Sequence, residues 1–351
     1  MEKVRANLVE GKLDALLVSH LPNVQYLSGF SGSAGALYVT PREAIFFTDS
    51  RYDLQSHEEV KDCSVRVSRG DGFTAAIKLA ARRRESRIGF EAATLSVQAV
   101  KRLKELLPGK KLIPSINLIE NLRITKDPFE IDQIREAVKL GSRAYEESLP
   151  LLRPGVMEME IAAEIEYRMR RYGGEKPSFE TIVAFGERAA LPHAKAGNRR
   201  LRPNEFILLD LGVILNGYCS DMTRTLFLGK APRKAAEIYR AVLESQQEAE
   251  DAVRSGASCG SIDAAARRVL NRRGYGKYFT HSTGHGVGRE IHEPPRIGAR
   301  QKMLLPAGAV ITVEPGVYIP GYGGVRIEDM VVVQDGGREV LTPSPKELME
   351  L

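Results

Sequence analysis

The second half of the sequence places acidic residues inside segments that are otherwise apolar and strand-like. Asp210 lies in the predicted strand Phe206–Ile214, and Asp221 lies in the predicted strand Ser220–Leu228. Asn216-Gly217 separates the two segments, and this dipeptide is a strong signal for a two-residue hairpin. The turn predicts two cross-strand pairs, Leu215 with Tyr218 and Asp210 with Thr223. Asp221 is then diagonal to Asp210 on one face, at about 7 to 8 Å between Cα atoms, so the two carboxylates can share a metal.

A second acidic pair repeats this arrangement further along the chain. Glu314 and Glu328 are equidistant from Gly321 in a Gly-rich turn, so an antiparallel return places them opposite each other. Asp329 falls on the other face by alternation, where it either meets solvent or supports the ligands from behind.

Histidines are concentrated near these acidic segments. Only six occur in the chain, and four lie in this half: His193, His281, His285 and His292. Four carboxylates and one imidazole favour Mn²⁺ or Co²⁺, with Zn²⁺ and Fe²⁺ compatible, over a thiolate-rich structural zinc site. Bridging carboxylates hold two metals roughly 3.5 to 4 Å apart, an arrangement that generates a hydroxide nucleophile. One such acid alone is equally well explained as an ion-paired carboxylate, but the group together predicts metal-assisted hydrolysis.

The elements around this group change character along the chain. Up to Ile124 the sequence alternates short strands with helix-like stretches such as Val97–Leu107, which predicts an α/β domain. The predicted strands are Ala15–Val18, Ala36–Val39, Ala44–Phe47 and Ile88–Phe90. Gly29–Gly35 is interpreted as a tight loop, because no phosphate-binding motif accompanies it.

The second part predicts an α+β domain with an antiparallel sheet, because long strands and helices do not alternate regularly. Its predicted helices are 130–149, 157–172, 233–255 and 262–273. Its predicted strands are Phe206–Ile214, Ser220–Leu228, Ala309–Ile319 and Val325–Gln334. The sequence predicts a domain boundary between 125 and 126.

Composition places the chain among ordinary globular proteins. Its 351 residues exceed the range of a single core, so two domains are expected. We expect a cytoplasmic protein, because there is no membrane-length apolar stretch or secretory signal and the three cysteines have no CxxC spacing. The net charge of +6 suggests nucleic-acid binding through Arg82-Arg83-Arg84 and Arg87. Acidic residues interrupt the positive charge throughout, so we interpret that run as a solvated helix end.

These motifs resemble the metallopeptidases of the pita-bread fold, which include Xaa-Pro dipeptidases (prolidases), aminopeptidase P and methionine aminopeptidases. The matching stretches in the second domain are Thr181–Ala184, Pro192-His193, Leu209–Gly212, Ser220–Thr225, Gly284–Gly288, His292–Pro294, Val313–Gly316 and Gly324–Asp329. The first domain, with Asn23–Phe30 and Thr48–Tyr52, is similar to the creatinase/prolidase amino-terminal domain. Methionine aminopeptidases lack that domain, and creatinase lacks the metal site.

The resemblance implies a pita-bread catalytic domain at 126–351, preceded by a smaller α/β domain at 1–125. It implies two divalent metals, with one acid from each hairpin bridging them. The implied ligands are Asp210, Asp221, His285, Glu314 and Glu328. Because all five positions carry ligand residues, it also argues against a non-catalytic binding relative and against a metal-free hydrolase.

Further roles follow only from the resemblance. Glu314 would accept the proton of the nucleophilic water, and His292 and His281 would steady the carbonyl oxygen and tetrahedral intermediate. His193 would face the substrate proline. Three more residues would bind or support substrate: Arg296, Tyr318 and Arg326. A homodimer acting on small peptides with proline in second position is expected, without nucleic acid or membrane.

The choice between two activities depends on Arg296. Its position matches the carboxylate-binding arginine of prolidases, which favours a dipeptidase, since a guanidinium suits bidentate recognition of a free carboxylate. Some aminopeptidases of the family also carry arginine there, and Pro295 replaces an aromatic residue common in prolidases. Aminopeptidase P activity on longer peptides is therefore the alternative.

Overall fold

A computed structural model describes residues 1–351, which divide into two compact units, Met1–Arg123 and Ile124–Leu351. No helix in it is both long enough and apolar enough to span a bilayer. The three cysteines form no disulfide.

The first unit is a mixed six-stranded sheet with helices, as predicted for an α/β domain. The strand order is β4-β3-β2-β1-β5-β6, and the β1–β2 and β2–β3 pairs are antiparallel while the others are parallel. Its strands are β1 (Ala15–Val18), β2 (Ala36–Val39), β3 (Ala44–Asp49), β4 (Ser64–Ser68), β5 (Arg87–Glu91) and β6 (Lys111–Ser115). Its helices are α1 (Glu2–Glu10), α2 (Leu21–Ser28), α3 (Asp53–Glu59), α4 (Gly72–Arg82), α5 (Val97–Leu106) and α6 (Glu120–Arg123).

The basic run lies at a helix end, as predicted. Helix α4 buries an alanine-rich face and ends at Arg82, and Arg83 continues in extended conformation. Arg83 forms an ion pair with Glu43 at 2.9 Å, so part of this positive charge is already neutralised within the unit.

The second unit is built from antiparallel sheets and two helix pairs. Its helices are α7 (Pro128–Ser148), α8 (Glu158–Arg171), α9 (Arg233–Asp251) and α10 (Cys259–Arg272). Its strands are β7 (Lys176–Pro177), β8 (Ile182–Phe185), β9 (Glu205–Leu211), β10 (Val213–Leu215), β11 (Tyr218–Cys219), β12 (Met222–Leu228), β13 (Gly284–Gly286), β14 (Glu293–Ile297), β15 (Val310–Val313), β16 (Gly316–Ile319), β17 (Gly323–Arg326), β18 (Asp329–Gln334) and β19 (Gly337–Val340). All strand pairs in this unit are antiparallel, which confirms the predicted sheet type.

Each helix pair covers one group of strands. Helices α7 and α8 share a buried core with β8, β9 and β12, whereas α9 and α10 share another with β15, β17 and β18. Alternate residues of β9 enter the two cores: Leu209 packs in the first and Leu208 in the second. The strands are therefore buried on both faces, which accounts for their nearly continuous apolar sequences.

Three of the four long strands predicted in this unit are broken in the structure, and the fourth, predicted from Ser220, begins only at Met222. The irregular positions lie at the acidic residues or within two residues of them: Gly212, Ser220-Asp221, Glu314-Pro315 and Ile327-Glu328. Proline lacks the amide hydrogen that a ladder requires, and Gly212 approaches a neighbouring backbone too closely for a side chain. The breaks release Asp221, Glu314 and Glu328 from regular pairing.

Gly212 provides a test of this close approach. A Cβ atom there would lie 2.0 Å from the carbonyl oxygen of Ser220, the residue before Asp221. We expect Gly212→Ala to lower the stability of the second unit by at least about 2 kcal/mol, because the backbone must move apart. Calorimetric melting measures this loss. Gly336→Ala is the control, because no atom lies within 4 Å of a Cβ built there. Equal melting temperatures for both variants would contradict the close packing.

Candidate active site

Two hairpins bring the four carboxylates together. The first has the predicted pairs, Leu215 with Tyr218 and Asp210 with Thr223. In the second, Val313 pairs with Asp329 and Gly316 pairs with Arg326, on either side of the break. The same register runs through both pairs, so it sets Glu314 opposite Glu328, as predicted.

The five predicted ligands line one cavity of about 760 Å³ within the second unit. Ligand atoms of Asp221, His285 and Glu328 lie within 4.8 Å of one another. His285 Nε2 is 3.5 Å from both Asp221 Oδ2 and Glu314 Oε1. The same cavity is lined by Asp210, which completes the set.

Hydrogen bonding fixes the orientation of His285. Its Nδ1 lies 3.1 Å from the carbonyl oxygen of Gly286, an atom that only accepts, so Nδ1 carries the hydrogen. The lone pair of Nε2 then faces the carboxylates, which is the orientation of a metal ligand. Burial, followed by the neighbouring His292, lowers the pKa of His285 to about 4, so the ring is neutral at physiological pH. The adjacent Gly284 lies so close to β15 that a Cβ would be 2.0 Å from the carbonyl oxygen of Thr312.

Each buried carboxylate makes ionisation of the neighbouring carboxyl groups less favourable. Burial raises the pKa of Asp221 and Glu328 well above the usual range, and the surrounding acids add to both shifts. Burial, with Asp210, raises the pKa of Glu314 to about 7 against the opposing charge of Arg326. Only a cation among these groups allows all of them to ionise together.

Asp210 supplies an independent indication that a cation fits. Its Oδ2 accepts a hydrogen bond from Arg326 at 2.5 Å, whereas its Oδ1 is buried without a hydrogen-bond partner. A buried carboxylate oxygen without a donor is costly, and here it belongs to a residue that lines a cavity with four other potential ligands. The donor set, one imidazole and four carboxylates, therefore fits divalent metal ions.

Arg326 connects the ligands to the groups behind them. Besides Asp210, it donates to Thr223 Oγ1 at 3.0 Å and to the Tyr318 hydroxyl at 2.7 Å. Tyr318 lies behind the residues that line the cavity rather than among them. Arginine only donates, so the hydroxyl hydrogen of Tyr318 is left for His281 Nε2, at 2.9 Å.

These contacts engage both ring nitrogens of His281. Nε2 accepts from Tyr318, and Nδ1 lies 2.8 Å from the carbonyl oxygen of Ser282 and donates to it. Burial, aided by the charge of Arg326, lowers the pKa of His281 to about 4, so the ring is neutral. His281 lines the cavity but has no free donor in this arrangement.

The remaining predicted substrate residues are exposed on the cavity. His193, His292 and Arg296 all line it and are solvent-exposed. The ring of His292 is only partly buried, but this partial burial and the nearby His193 lower its pKa, which favours the neutral ring at pH 7. Arg296, on β14 opposite His285, forms no ion pair with any carboxylate of the chain.

Asp329 does not face solvent, which was one of its two predicted positions. It is fully buried, and its Oδ1 lies 2.7 Å from Arg224. The alternation placed it correctly on the opposite face, but a second core covers that face.

Sequence reasoning missed two threonines that orient the ligands. Thr223 Oγ1 donates to Glu328 Oε2 at 2.6 Å, and Thr312 Oγ1 accepts from the His285 amide while lying 3.4 Å from Glu314 Oε1. Two-residue alternation from the acids would have identified Thr223 and Thr312. The buried ion pair of Lys126 with Glu293, at 2.7 Å, had no signal, because the two residues are far apart in sequence.

Comparisons with known proteins agree with this geometry. The family model described as Metallopeptidase family M24 matches residues 132–335, and the model described as Creatinase/Prolidase N-terminal domain matches residues 1–125. The chain is 37% identical over 351 residues to an Xaa-Pro dipeptidase of Pyrococcus furiosus, covering 99% of each protein.

Two solved structures align over nearly the whole chain. An Xaa-Pro dipeptidase from Bacillus anthracis has a TM-score of 0.96 and 38% identity, with 100% of this chain and 98% of that one covered. An X-Pro aminopeptidase from Thermotoga maritima has a TM-score of 0.91 and 35% identity, with 97% and 98% covered.

Proton release on metal binding tests the electrostatics of the site. Acids with raised pKa values hold protons near neutral pH and must lose them to bind a cation. We expect Mn²⁺ to displace about one proton or more per chain at pH 7, and fewer as the pH rises above the Glu314 pKa of about 7. Calorimetry in two buffers of different ionisation enthalpy measures this number. Glu314→Gln should release fewer protons, and proton uptake by the unmodified protein would contradict the predicted shifts.

Proposed function

The chain belongs to metallopeptidase family M24, and from this premise we propose that it hydrolyses Xaa-Pro bonds, with dipeptides as its preferred substrates. The observation that carries this proposal is one cavity that joins five potential metal ligands to Arg296, an exposed guanidinium without a carboxylate partner. Arg296 is the cross-strand partner of His285, so its side chain begins next to a proposed metal ligand. Full-length similarity to Xaa-Pro dipeptidases supports the proposal.

We assign the metal sites to the five residues that line this cavity. They would hold two divalent ions, for which Mn²⁺ or Co²⁺ is our proposal, with Zn²⁺ and Fe²⁺ compatible. When bound, such ions supply a hydroxide nucleophile at neutral pH and polarise the scissile carbonyl. The assigned residues are Asp210, Asp221, His285, Glu314 and Glu328.

The chain's own groups then move protons and orient the peptide. Glu314 accepts the proton of the attacking water, since its carboxylate is partly exposed to the cavity and a general base must lie within hydrogen-bond reach of the nucleophile. His292, exposed and neutral, donates to the carbonyl oxygen as negative charge develops there. His281 accepts a hydrogen bond from the Tyr318 hydroxyl, which in turn accepts one from Arg326, so His281 orients both side chains. His193 faces the substrate proline.

Arg296 determines the preference between the two activities. A dipeptide ends in a carboxylate that lies next to the scissile bond, and bidentate pairing with Arg296 would bind it. A longer peptide has no charge at that position. The similarity to an X-Pro aminopeptidase keeps aminopeptidase activity as the second candidate.

Other expectations from the sequence stay predictions. We propose 1–125 as the amino-terminal domain and 126–351 as the catalytic domain. Homodimer formation and a cytoplasmic location are also part of the proposal, and neither nucleic acid nor membrane has a role in it.

A substrate comparison tests the proposed function. Metal-stripped protein is given Leu-Pro or Leu-Pro-Gly-Gly, with and without added Mn²⁺ or Co²⁺. We expect metal-dependent release of proline from the dipeptide and little cleavage of the tetrapeptide. Preferential release of leucine from the tetrapeptide would identify an aminopeptidase instead. Cleavage of neither peptide would contradict the proposal.

Arg296→Met tests the carboxylate contact. We expect the KM for Leu-Pro to rise about 10-fold or more with a smaller change in kcat, because a charge-assisted hydrogen bond of the ground state is lost. Lys195→Met is the matched control: this lysine also lines the cavity and is exposed, but it pairs with Glu180 at 3.5 Å. Equal kinetic effects of the two substitutions would remove Arg296 from carboxylate recognition.

A further inference from the structure

Arg224 is a buried guanidinium that the proposed reaction does not use. It is 1% exposed, yet its nitrogen atoms make five hydrogen bonds, each between 2.6 and 3.0 Å. The acceptors are Asp329 Oδ1 and the carbonyl oxygens of Thr223, Glu328, Ser344 and Pro345. A guanidinium has five N–H donors, so the side chain is fully satisfied in one fixed orientation.

One of these acceptors belongs to a proposed metal ligand. The break between β17 and β18 leaves the Glu328 backbone outside the regular ladder. Thr223 and Arg224 replace the missing contacts at three points. The Glu328 amide donates to the Thr223 carbonyl at 3.2 Å, its carbonyl accepts from Arg224 at 2.6 Å, and its carboxylate accepts from the Thr223 hydroxyl at 2.6 Å. Glu328 is therefore oriented by backbone and side chain together.

Arg224 also donates hydrogen bonds to the segment 344–346. The carbonyl oxygens of Ser344 and Pro345 accept from Arg224 at 2.6 and 2.9 Å. Lys346 Nζ lies 2.8 Å from Asp329 Oδ2 and 2.9 Å from Glu250 Oε2. The segment thus contacts both Arg224 and Asp329, the residue that directly follows Glu328.

The two acids of this cluster, Asp329 and Glu250, share three cations. Arg224 and Lys346 lie within 2.9 Å of them, and Arg338 lies 4.0 Å from Glu250. Removing Arg224 or Lys346 weakens this charge compensation in a buried site, which displaces the neighbouring side chains. Arg224 contacts the Glu328 backbone, and Asp329 is the residue after Glu328. A displacement of either side chain therefore also displaces Glu328.

We propose that residues 344–346 form a strap that positions Glu328 for metal binding through Arg224 and Asp329. Arg224 and Lys346 are positioning residues in this proposal, which rests on the proposed role of Glu328 as a metal ligand. A strap with a purely structural role would lower stability when loosened but would leave the affinity of the folded protein for metal unchanged.

Two substitutions loosen the strap from different sides. Arg224→Lys keeps the charge but cannot reproduce five donors in a fork, and Lys346→Met keeps the aliphatic stem without the charge. Lys346 is the milder site, since its side chain is 22% exposed, so it carries the test if the Arg224 variant does not fold. Glu350→Gln is the control: Glu350 accepts from the Ala231 amide at 2.9 Å and has no contact with Arg224.

Mn²⁺ affinity of metal-stripped protein is measured by competition with a chelating dye, together with melting temperature. We expect each strap substitution to weaken binding about 10-fold, the lower end for residues that orient metal ligands, whereas Glu350→Gln leaves it unchanged. Metal binding should in turn slow hydrogen exchange in 344–346 of the unmodified protein, because coupling between two sites is reciprocal. Unchanged affinity in folded Lys346→Met, with only a lower melting temperature, would overturn the proposal.

The affinity measurement also separates this proposal from the proposed function. If the unmodified protein binds Mn²⁺ and cleaves neither test peptide, the peptidase proposal fails while the strap can still be measured. If it binds the ion and cleaves Leu-Pro, but the strap variants keep full affinity, only the strap fails. A protein that binds no Mn²⁺ would overturn both.

Discussion

The mutual repulsion of carboxylates buried within two hairpins is the constraint on which the catalytic unit depends. Asp210, Asp221 and Glu328 are each less than 10% exposed, and burial together with neighbouring acids raises the pKa of the last two. Arg326 is the cation in contact with Asp210, and it also donates hydrogen bonds to Thr223 and Tyr318. One guanidinium does not balance four acids, so divalent cations are the natural partners of this arrangement.

The surrounding fold makes such a concentration of charge possible. Two helix pairs cover the strands from both sides, and these apolar cores support the folded unit, while Asp221, Glu314 and Glu328 lie outside the regular strands. Each break removes backbone pairing, and side chains replace it. Arg224 and Thr223 do so at Glu328. The Thr312 hydroxyl also accepts a hydrogen bond from the amide of His285, within β13. The positions of the proposed ligands thus depend on hydrogen bonds made by residues that do not line the cavity.

Local patterns allowed much of this site to be predicted. The Asn216-Gly217 turn set the register of the first hairpin, and symmetry about Gly321 in the second hairpin paired Glu314 with Glu328. Periodicity could not show where strands break, since Glu314-Pro315 and Ile327-Glu328 are embedded in apolar sequence. Periodicity also could not predict contacts between segments that are far apart in the sequence. The burial of Asp329 depends on Arg224 and Lys346, and only the folded chain brings these three charges together.

The number of metal ions bound per chain tests the central claim most directly. Metal-stripped protein and Asp210→Asn, which keeps the shape of the side chain but removes its charge, are dialysed against Mn²⁺ and analysed for metal content. We expect two ions per unmodified chain and fewer in the variant, because Asp210 is one of the five assigned ligands. Absence of bound Mn²⁺ from the unmodified protein, or an identical content in the variant, would contradict the proposal that these carboxylates are held together by metal.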